Sequence, residues 1–182
     1  MSRKYKFINQ HQPYFVSCSV VYWQKVFNDA SHCEILIESL KYCQTHKGLI
    51  IYGWCFMPDH IHLIIGTQKN PMQDIMRDFK SYTSRHLRKK MTEHRGDPEM
   101  NKIIQIMRQS GLKNSNNKDW QFWQQHNHPI ELFSNKIAEQ KLNYVHYNPV
   151  KAGLVAYPID WLYSSAKDYD GQKGLLKVEF LI

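Results

Sequence analysis

Apolar and polar positions along this chain alternate between two periods, and the switches between them mark out its elements. A run of β-favouring residues at about 14–22 reads as a strand. A helical stretch at about 30–46 ends at Gly48, and two strands follow at about 49–57 and 60–66, hinged at Pro58-Asp59. Next come a long helix at about 71–93, a polar loop with a short helix near 100–110, and a short strand near 119–124. A helix capped by Ser134 or Asn135 and an irregular tail over 153–182 complete the chain. Strand, helix, strand, strand, helix, strand is the ferredoxin-like order, so the pattern predicts an α+β fold with an antiparallel sheet. At 182 residues, one domain over 1–182 is expected.

Two segments carry chemistry on this frame. In a strand, residues i and i+2 point to the same face, so His60 and His62 project side by side while Ile61 enters the core. A histidine on an apolar strand is often only a hydrogen-bonded core residue; two adjacent imidazoles, however, can hold one metal ion. About eighty residues on, Tyr144 and Asn148 stand at i and i+4 and share a helix face. Pro149 and Gly153 read as stop signals for that helix, and Pro149 is expected to distort the turn joining Tyr144 to Asn148.

Two imidazoles, an amide and a phenol suit phosphoryl transfer with a tyrosine nucleophile. A divalent ion held by His60, His62 and Asn148 would polarise and position a phosphodiester, and Tyr144 would attack phosphorus. The ion is expected to be Mg²⁺ or Mn²⁺, although imidazole tolerates several metals. Tyr147 lies about 60° from Tyr144 around the helix and is the rival nucleophile. A second string, His126-Asn127-His128 before Pro129, competes for the metal, but its neighbours suggest a turn.

The long helix has two stripes. Met72, Met76, Phe79, Thr83, Leu87 and Met91 step by three or four and are expected to face the sheet. Arg77, Lys80, Ser84 and Arg88 follow the same steps one residue round, flanked by Arg85, Lys89 and Lys90. This second stripe reads either as a solvated helix face or as a surface that tracks phosphates. The stretch 111–119 is the most polar in the chain and reads as a flexible loop.

Three strings in order resemble the REP-associated tyrosine transposases, a branch of the single-tyrosine HUH endonucleases. They are Trp54-Cys55-Phe56-Met57-Pro58-Asp59-His60-Ile61-His62-Leu63-Ile64, then Tyr144 to Gly153, then Trp161-Leu162-Tyr163-Ser164-Ser165-Ala166. The opening Tyr14-Phe15-Val16-Ser17, followed by Tyr22-Trp23 and Phe27, is similar as well, so the resemblance spans nearly the whole chain. It implies an HUH endonuclease fold, with the helices on one face of the sheet, the tyrosine on a separate helix, and residues 1–182 as one HUH-type transposase domain. By this resemblance, His60 and His62 match the metal pair, Tyr144 the nucleophile and Asn148 the polar ligand one turn later. The implied substrate is single-stranded or hairpin DNA, cleaved through a 5′-phosphotyrosine intermediate that leaves a free 3′-hydroxyl. The implied assembly is a monomer or homodimer.

Composition is compatible with that expectation. Twenty-four Lys and Arg against sixteen Asp and Glu give a formal charge of +8, which favours a polyanionic partner, as would suit Arg77, Lys80, Ser84, Arg85 and Arg88 contacting DNA. Five Trp, eleven Tyr and eight Phe supply core residues and candidate surfaces for stacking unpaired bases. Cys18, Cys33, Cys43 and Cys55 are too scattered for a zinc ribbon or a disulfide scaffold. No window reaches the ~18 apolar residues of a membrane span, so no membrane role and a reducing cytoplasm are expected. The alternative to the enzyme is a non-catalytic single-stranded nucleic-acid binder, which would need neither the histidines nor the tyrosine.

Overall fold

The computed structural model describes residues 7–93, 96–115, 117–125 and 127–181. Its elements are β1 (Tyr14–Ser19), α1 (Ala30–Lys47), β2 (Leu49–Phe56), β3 (His60–Thr67), α2 (Met72–Glu93), α3 (Pro98–Leu112), β4 (Ile130–Glu131), α4 (Asn135–Lys151) and α5 (Ala166–Tyr169). The sheet is antiparallel, in the order β2-β3-β1-β4. This is the expected α+β arrangement. α1 closes on Gly48, whose φ of 72° is a left-handed C-cap that any side chain would strain.

The two faces of the sheet bury different partners. Val16, Cys18, Ile51, Trp54, Ile61, Leu63 and Ile65 pack with Leu36 and Leu40 of α1 and with Met72, Met76, Phe79, Leu87 and Met91 of α2. The apolar stripe read in the long helix is this contact. Thr83 sits within it at no cost in unpaired polar atoms: its hydroxyl donates to the Phe79 carbonyl (2.7 Å) and accepts from Trp123 Nε1 (3.0 Å). On the other face lies a smaller cluster, in which Leu142 and Val145 of α4 meet Phe15, Cys55, Met57 and Ile64. Gly53 lets α4 come this close, since a Cβ there would stand 2.8 Å from Leu142 Cδ1. Helices α1 and α2 thus cover one face, and the tyrosine-bearing helix lies on the opposite one, with Trp161 and Tyr169 of the tail packed against the same cluster.

Two expectations are corrected. The fourth strand is at 130–131, and the segment near 119–124 forms only an isolated bridge, Val20 to Trp123. That segment still follows the β1 edge: Val21 N–H donates to the Phe122 carbonyl (2.8 Å), Gln124 N–H to that of Ser19 (2.8 Å) and Ser17 N–H to that of Asn127 (3.2 Å). His128 at φ 43°, followed by Pro129, interrupts the regular ladder in between. Pro149, in turn, does not stop its helix. α4 continues to Lys151, with the Ala152 N–H donating to the Asn148 carbonyl (3.0 Å) and the Leu154 N–H to that of Pro149 (2.9 Å). The proline forfeits one N–H, and the packed Val145 face holds the helix through it.

The tail is irregular yet docked along the free edge of β2. Phe56 N–H donates to the Tyr163 carbonyl (2.8 Å), Ser165 N–H to that of Trp54 (3.0 Å) and Glu179 N–H to that of Ile51 (2.9 Å). These bonds cover an edge that would otherwise offer unpaired backbone groups to other chains. Cys18, Cys33, Cys43 and Cys55 are all free and buried. Among the described residues no helix is long and apolar enough to cross a membrane.

Candidate active site

Register places the histidines. Ser19 pairs with His60 and Ser17 with His62 across β1 and β3, while Cys55 pairs with His62 from β2. Both imidazoles therefore face α4, and Ile61 is fully buried on the opposite side. The two Nε2 atoms are 3.0 Å apart. Asn148 brings its side-chain amide within 3.0 Å of His62 Nε2, and the Tyr144 ring centroid lies 5.1 Å from that of His62. The strand pair and the helix turn, eighty residues apart in sequence, thus meet at one point.

Asp59 adds a group that the sequence reading took only for a hinge. Its carboxylate accepts from His60 Nδ1 at 2.5 Å. A carboxylate can only accept here, so the His60 Nδ1–H is held by Asp59 and Nε2 is turned toward His62. His62 is 3% exposed, and burial, followed by the nearby His60 and Lys141 charges, pushes its pKa down to about 3. It is therefore neutral at physiological pH, the form that ligates cations. Its Nδ1 is buried without a hydrogen-bond partner among the described residues, so its tautomer is decided at Nε2.

A divalent ion fits this donor set. A single neutral imidazole nitrogen offers either one proton or one lone pair, yet His62 Nε2 faces both His60 Nε2 and the Asn148 amide at 3.0 Å, so it cannot satisfy both as acceptor and donor at once. Cis ligands held by bonds of about 2.1 Å stand roughly 3.0 Å apart, which is the spacing seen. Among the described residues no three His, Cys, Asp or Glu side chains gather around a cation-sized space; the third polar group beside the two imidazoles is the Asn148 amide, whose oxygen would be its ligand atom. The carboxylate behind His60 is the outer-shell partner that orients a ligating histidine.

Around Tyr144 the surface is aromatic and basic. The ring is 39% exposed and meets Phe15 edge-on (5.9 Å), and Phe15 in turn stacks on His62 (5.4 Å). Lys141 Nζ lies over the Phe15 and Tyr144 rings (4.8 and 5.6 Å), and Lys151 Nζ is 5.9 Å from the Tyr144 ring. Neither lysine was singled out in the sequence; their i−3 and i+7 spacing from Tyr144 was the available signal. Tyr147 is half exposed and makes no ring contact with either histidine among the described residues. His146 points into the core instead. Its Nε2 lies 2.9 Å from Ser165 Oγ in the tail, and burial brings its pKa to about 4. His126 of the second His-x-His string lies outside the described residues, while Asn127 is tied to Lys80, whose Nζ donates to Asn127 Oδ1 (2.9 Å) and the Gln124 carbonyl (3.0 Å).

The basic stripe of α2 is largely committed to the protein itself. Burial lowers the Lys80 pKa. Arg88 makes a two-pronged pair with Asp119 (2.7 and 3.1 Å) and sits 5.1 Å from the Trp120 ring centroid, while Arg77 pairs with Asp74 and Asp78. Ser84 is half-buried, and Arg85 and Lys89 are exposed. Arg85 and Ser84 line a groove of about 750 Å³ between α2 and the 117–125 segment.

The fold and site define an α+β protein whose sheet presents paired histidines to a tyrosine on a separate helix. Residues 9–104, more than half of the chain, match the IS200-like transposase family. The chain belongs to the IS200-like transposase family, whose members process DNA. It is also similar to a Haemophilus influenzae protein named as a REP-associated tyrosine transposase, 35% identical over 115 residues that make up 61% of this chain and 55% of that protein. This chain thus spans about half the length of that curated relative. A solved REP-associated tyrosine transposase bound to a REP hairpin aligns with all of this chain and 94% of its own, with a TM-score of 0.67 at 14% identity, a likeness of fold. The resemblance noted in the sequence is therefore supported by an independent relative and by the fold.

Proposed function

We propose that this protein cleaves and rejoins single-stranded DNA beside hairpin-forming repeats, using Tyr144 as nucleophile and a divalent ion, Mg²⁺ or Mn²⁺, held by His60, His62 and Asn148. The observation that carries the reading is the convergence of the two Nε2 atoms and the Asn148 amide at 3.0 Å spacings, with the Tyr144 ring beside them. When bound, the ion would polarise the scissile phosphate and neutralise part of its charge. His60 and His62 would offer their Nε2 atoms to it, and Asp59 holds the His60 Nδ1–H so that Nε2 faces the ion's place. Lys141 and Lys151 offer positive charge to the phosphate backbone next to the phenol. Attack forms a bond from the Tyr144 phenolic oxygen to phosphorus and breaks the bond from phosphorus to the 3′-oxygen. The phenol gives up its proton, the leaving oxygen takes one up as a free 3′-hydroxyl, and the 5′-phosphate stays on the tyrosine.

A hairpin as substrate is supported by the hairpin complex of the solved relative and by the formal charge of +8. The test is incubation with labelled hairpin oligonucleotides taken from DNA flanking the gene, with and without divalent metal. Tyr144→Phe is expected to retain DNA binding and lose both the covalent adduct and the cleaved product; Tyr147→Phe is expected to keep both. An adduct that survives Tyr144→Phe and disappears in Tyr147→Phe would reassign the nucleophile. DNA binding with no adduct from the wild type on any hairpin would leave a non-catalytic binder.

A further inference from the structure

We propose that Tyr22 and Trp23 form a stacking post for unpaired nucleobases of the DNA strand that leads to the histidine pair, an inference that rests on the function proposed above. Both residues have φ of 50°, a left-handed backbone that non-glycine residues adopt only at a cost. Both rings are also turned outward, 57% and 60% exposed, and neither side chain has a hydrogen bond or ring contact among the described residues. An exposed Tyr-Trp pair on a strained backbone contributes nothing visible to the core, so its side chains answer to something outside it.

The surrounding structure holds this arch rigidly. On one side are buried Val20 and Val21, with Val21 N–H donating to the Phe122 carbonyl (2.8 Å); on the other are buried Val26 and Phe27, with Phe27 N–H donating to that of Pro58 (2.9 Å). Its position relative to the site follows from register. Ser19 pairs with His60, and Val20 N–H donates to the Asp59 carbonyl (2.9 Å), so Tyr22 begins two residues beyond the group that orients His60.

Tyr22 also walls a hollow of about 570 Å³ together with Lys113, Asn114, Gln121, Gln124 and Gln125. Four of these residues, Asn114, Gln121, Gln124 and Gln125, line the α2 groove with Arg85 as well, so the two depressions are continuous. A track of amides, cations and aromatic faces therefore runs from α2 to Tyr22, which follows the strand end bonded to Asp59. Single strands are held in this way, by backbone-tracking charge together with aromatic rings that stack on bases of any sequence. A protein partner would also accept an exposed Tyr-Trp pair, but the amide-rich lining with Lys113 and Arg85, and the Val20 bond to Asp59 two residues before Tyr22, favour nucleic acid.

The probes are two hairpin oligonucleotides from DNA flanking the gene, one blunt and one with a short unpaired thymine flank containing 2-aminopurine. The wild type is expected to quench the 2-aminopurine on binding, and Tyr22→Ala/Trp23→Ala to abolish the quench. Affinity for the flanked probe should drop about tenfold for each ring lost, with affinity for the blunt hairpin and the salt slope unchanged. Tyr22→Gly/Trp23→Gly should bind as weakly while melting at a higher temperature, since glycine relieves the left-handed strain. Equal affinities and an unaltered quench in the double variants would overturn the proposal, as would loss of a wild-type dimer with DNA affinity intact, which would make the pair a protein interface. Adduct formation through Tyr144, read on the same gels, separates the two ideas: an adduct with no quench defeats only this inference, whereas a quench with no adduct defeats only the catalytic reading.

Discussion

The two faces of the sheet are made from the same strands and do opposite work. Along β3, Ile61, Leu63 and Ile65 enter a large apolar cluster shared with α1 and α2, while His60, His62 and Ile64 face α4 across a small one. The first face removes hydrocarbon from water and supplies most of the stability. The second brings together polar groups that are not fully satisfied by one another: His62 has an orphaned Nδ1 and an Nε2 claimed by two neighbours. Stability and reactivity are thus separated by the strand alternation itself, since neighbouring residues on β3 belong to different cores.

The sharpest way to break this contrast is to alter each face in turn. Losing Tyr144's hydroxyl should reduce cleavage more than about a thousandfold with the unfolding midpoint nearly unchanged, whereas Leu63→Ala should cost about 2–5 kcal/mol of stability in urea titrations. Comparable stability losses from both would refute the separation. Next, His60→Ala and His62→Ala should each remove metal-dependent cleavage, and the double variant should be no worse than either, because both serve one ion. Calorimetric titration with Mn²⁺ reads the same loss without turnover. A smaller effect is expected from Asp59→Asn, which leaves the ligands in place but frees the His60 tautomer. Its Mn²⁺ affinity should fall about 10–100-fold, and wild-type affinity would show that the contact to His60 is incidental.

The pH response follows from two buried histidines. His62 and His146 have folded pKa values of about 3 and about 4, below the ordinary 6.5, so the unfolded chain binds more protons between those limits. Stability should therefore be highest above pH 6.5 and fall as the pH drops toward 4, by about 1–2 kcal/mol per histidine at pH 5. Urea midpoints at pH 7 and pH 5 measure this, and His146→Gln should flatten the difference. The smallest effect concerns α2. Arg85→Glu with Lys89→Glu should weaken DNA binding and flatten its salt dependence, because those side chains are exposed. Reversing Arg88 should instead disturb the Asp119 pair and the Trp120 contact, so a pure binding loss there would contradict the geometry.

Much of this was legible in the sequence because it is local. Alternation in β3 and the i, i+4 spacing in α4 follow from backbone geometry, so His60, His62, Tyr144 and Asn148 could be assigned to shared faces before any fold was known. The apolar stripe of α2 was equally plain. The basic stripe beside it was legible as charge but not as exposure: Lys80 and Arg88 are tied down by Asn127 and Asp119, partners 47 and 31 residues away. The fourth strand was misplaced for a related reason, because whether an extended segment joins a ladder depends on the neighbour it meets and on a break such as His128-Pro129.

By itself the sequence determined the element order, the two strand faces, the helix face shared by Tyr144 and Asn148, and the resemblance to a transposase family. Only the tertiary structure decided that the strand pair and the helix turn meet, that Asp59 rather than a distant acid orients His60, that α4 passes through Pro149, and that Tyr22 and Trp23 stand exposed beside the site. The physical reason is one of range. Periodicity and capping act over a few residues, whereas burial, the depressed pKa of His62 and a 3.0 Å approach between Asn148 and His62 arise only when α4 is pressed onto the sheet at Gly53.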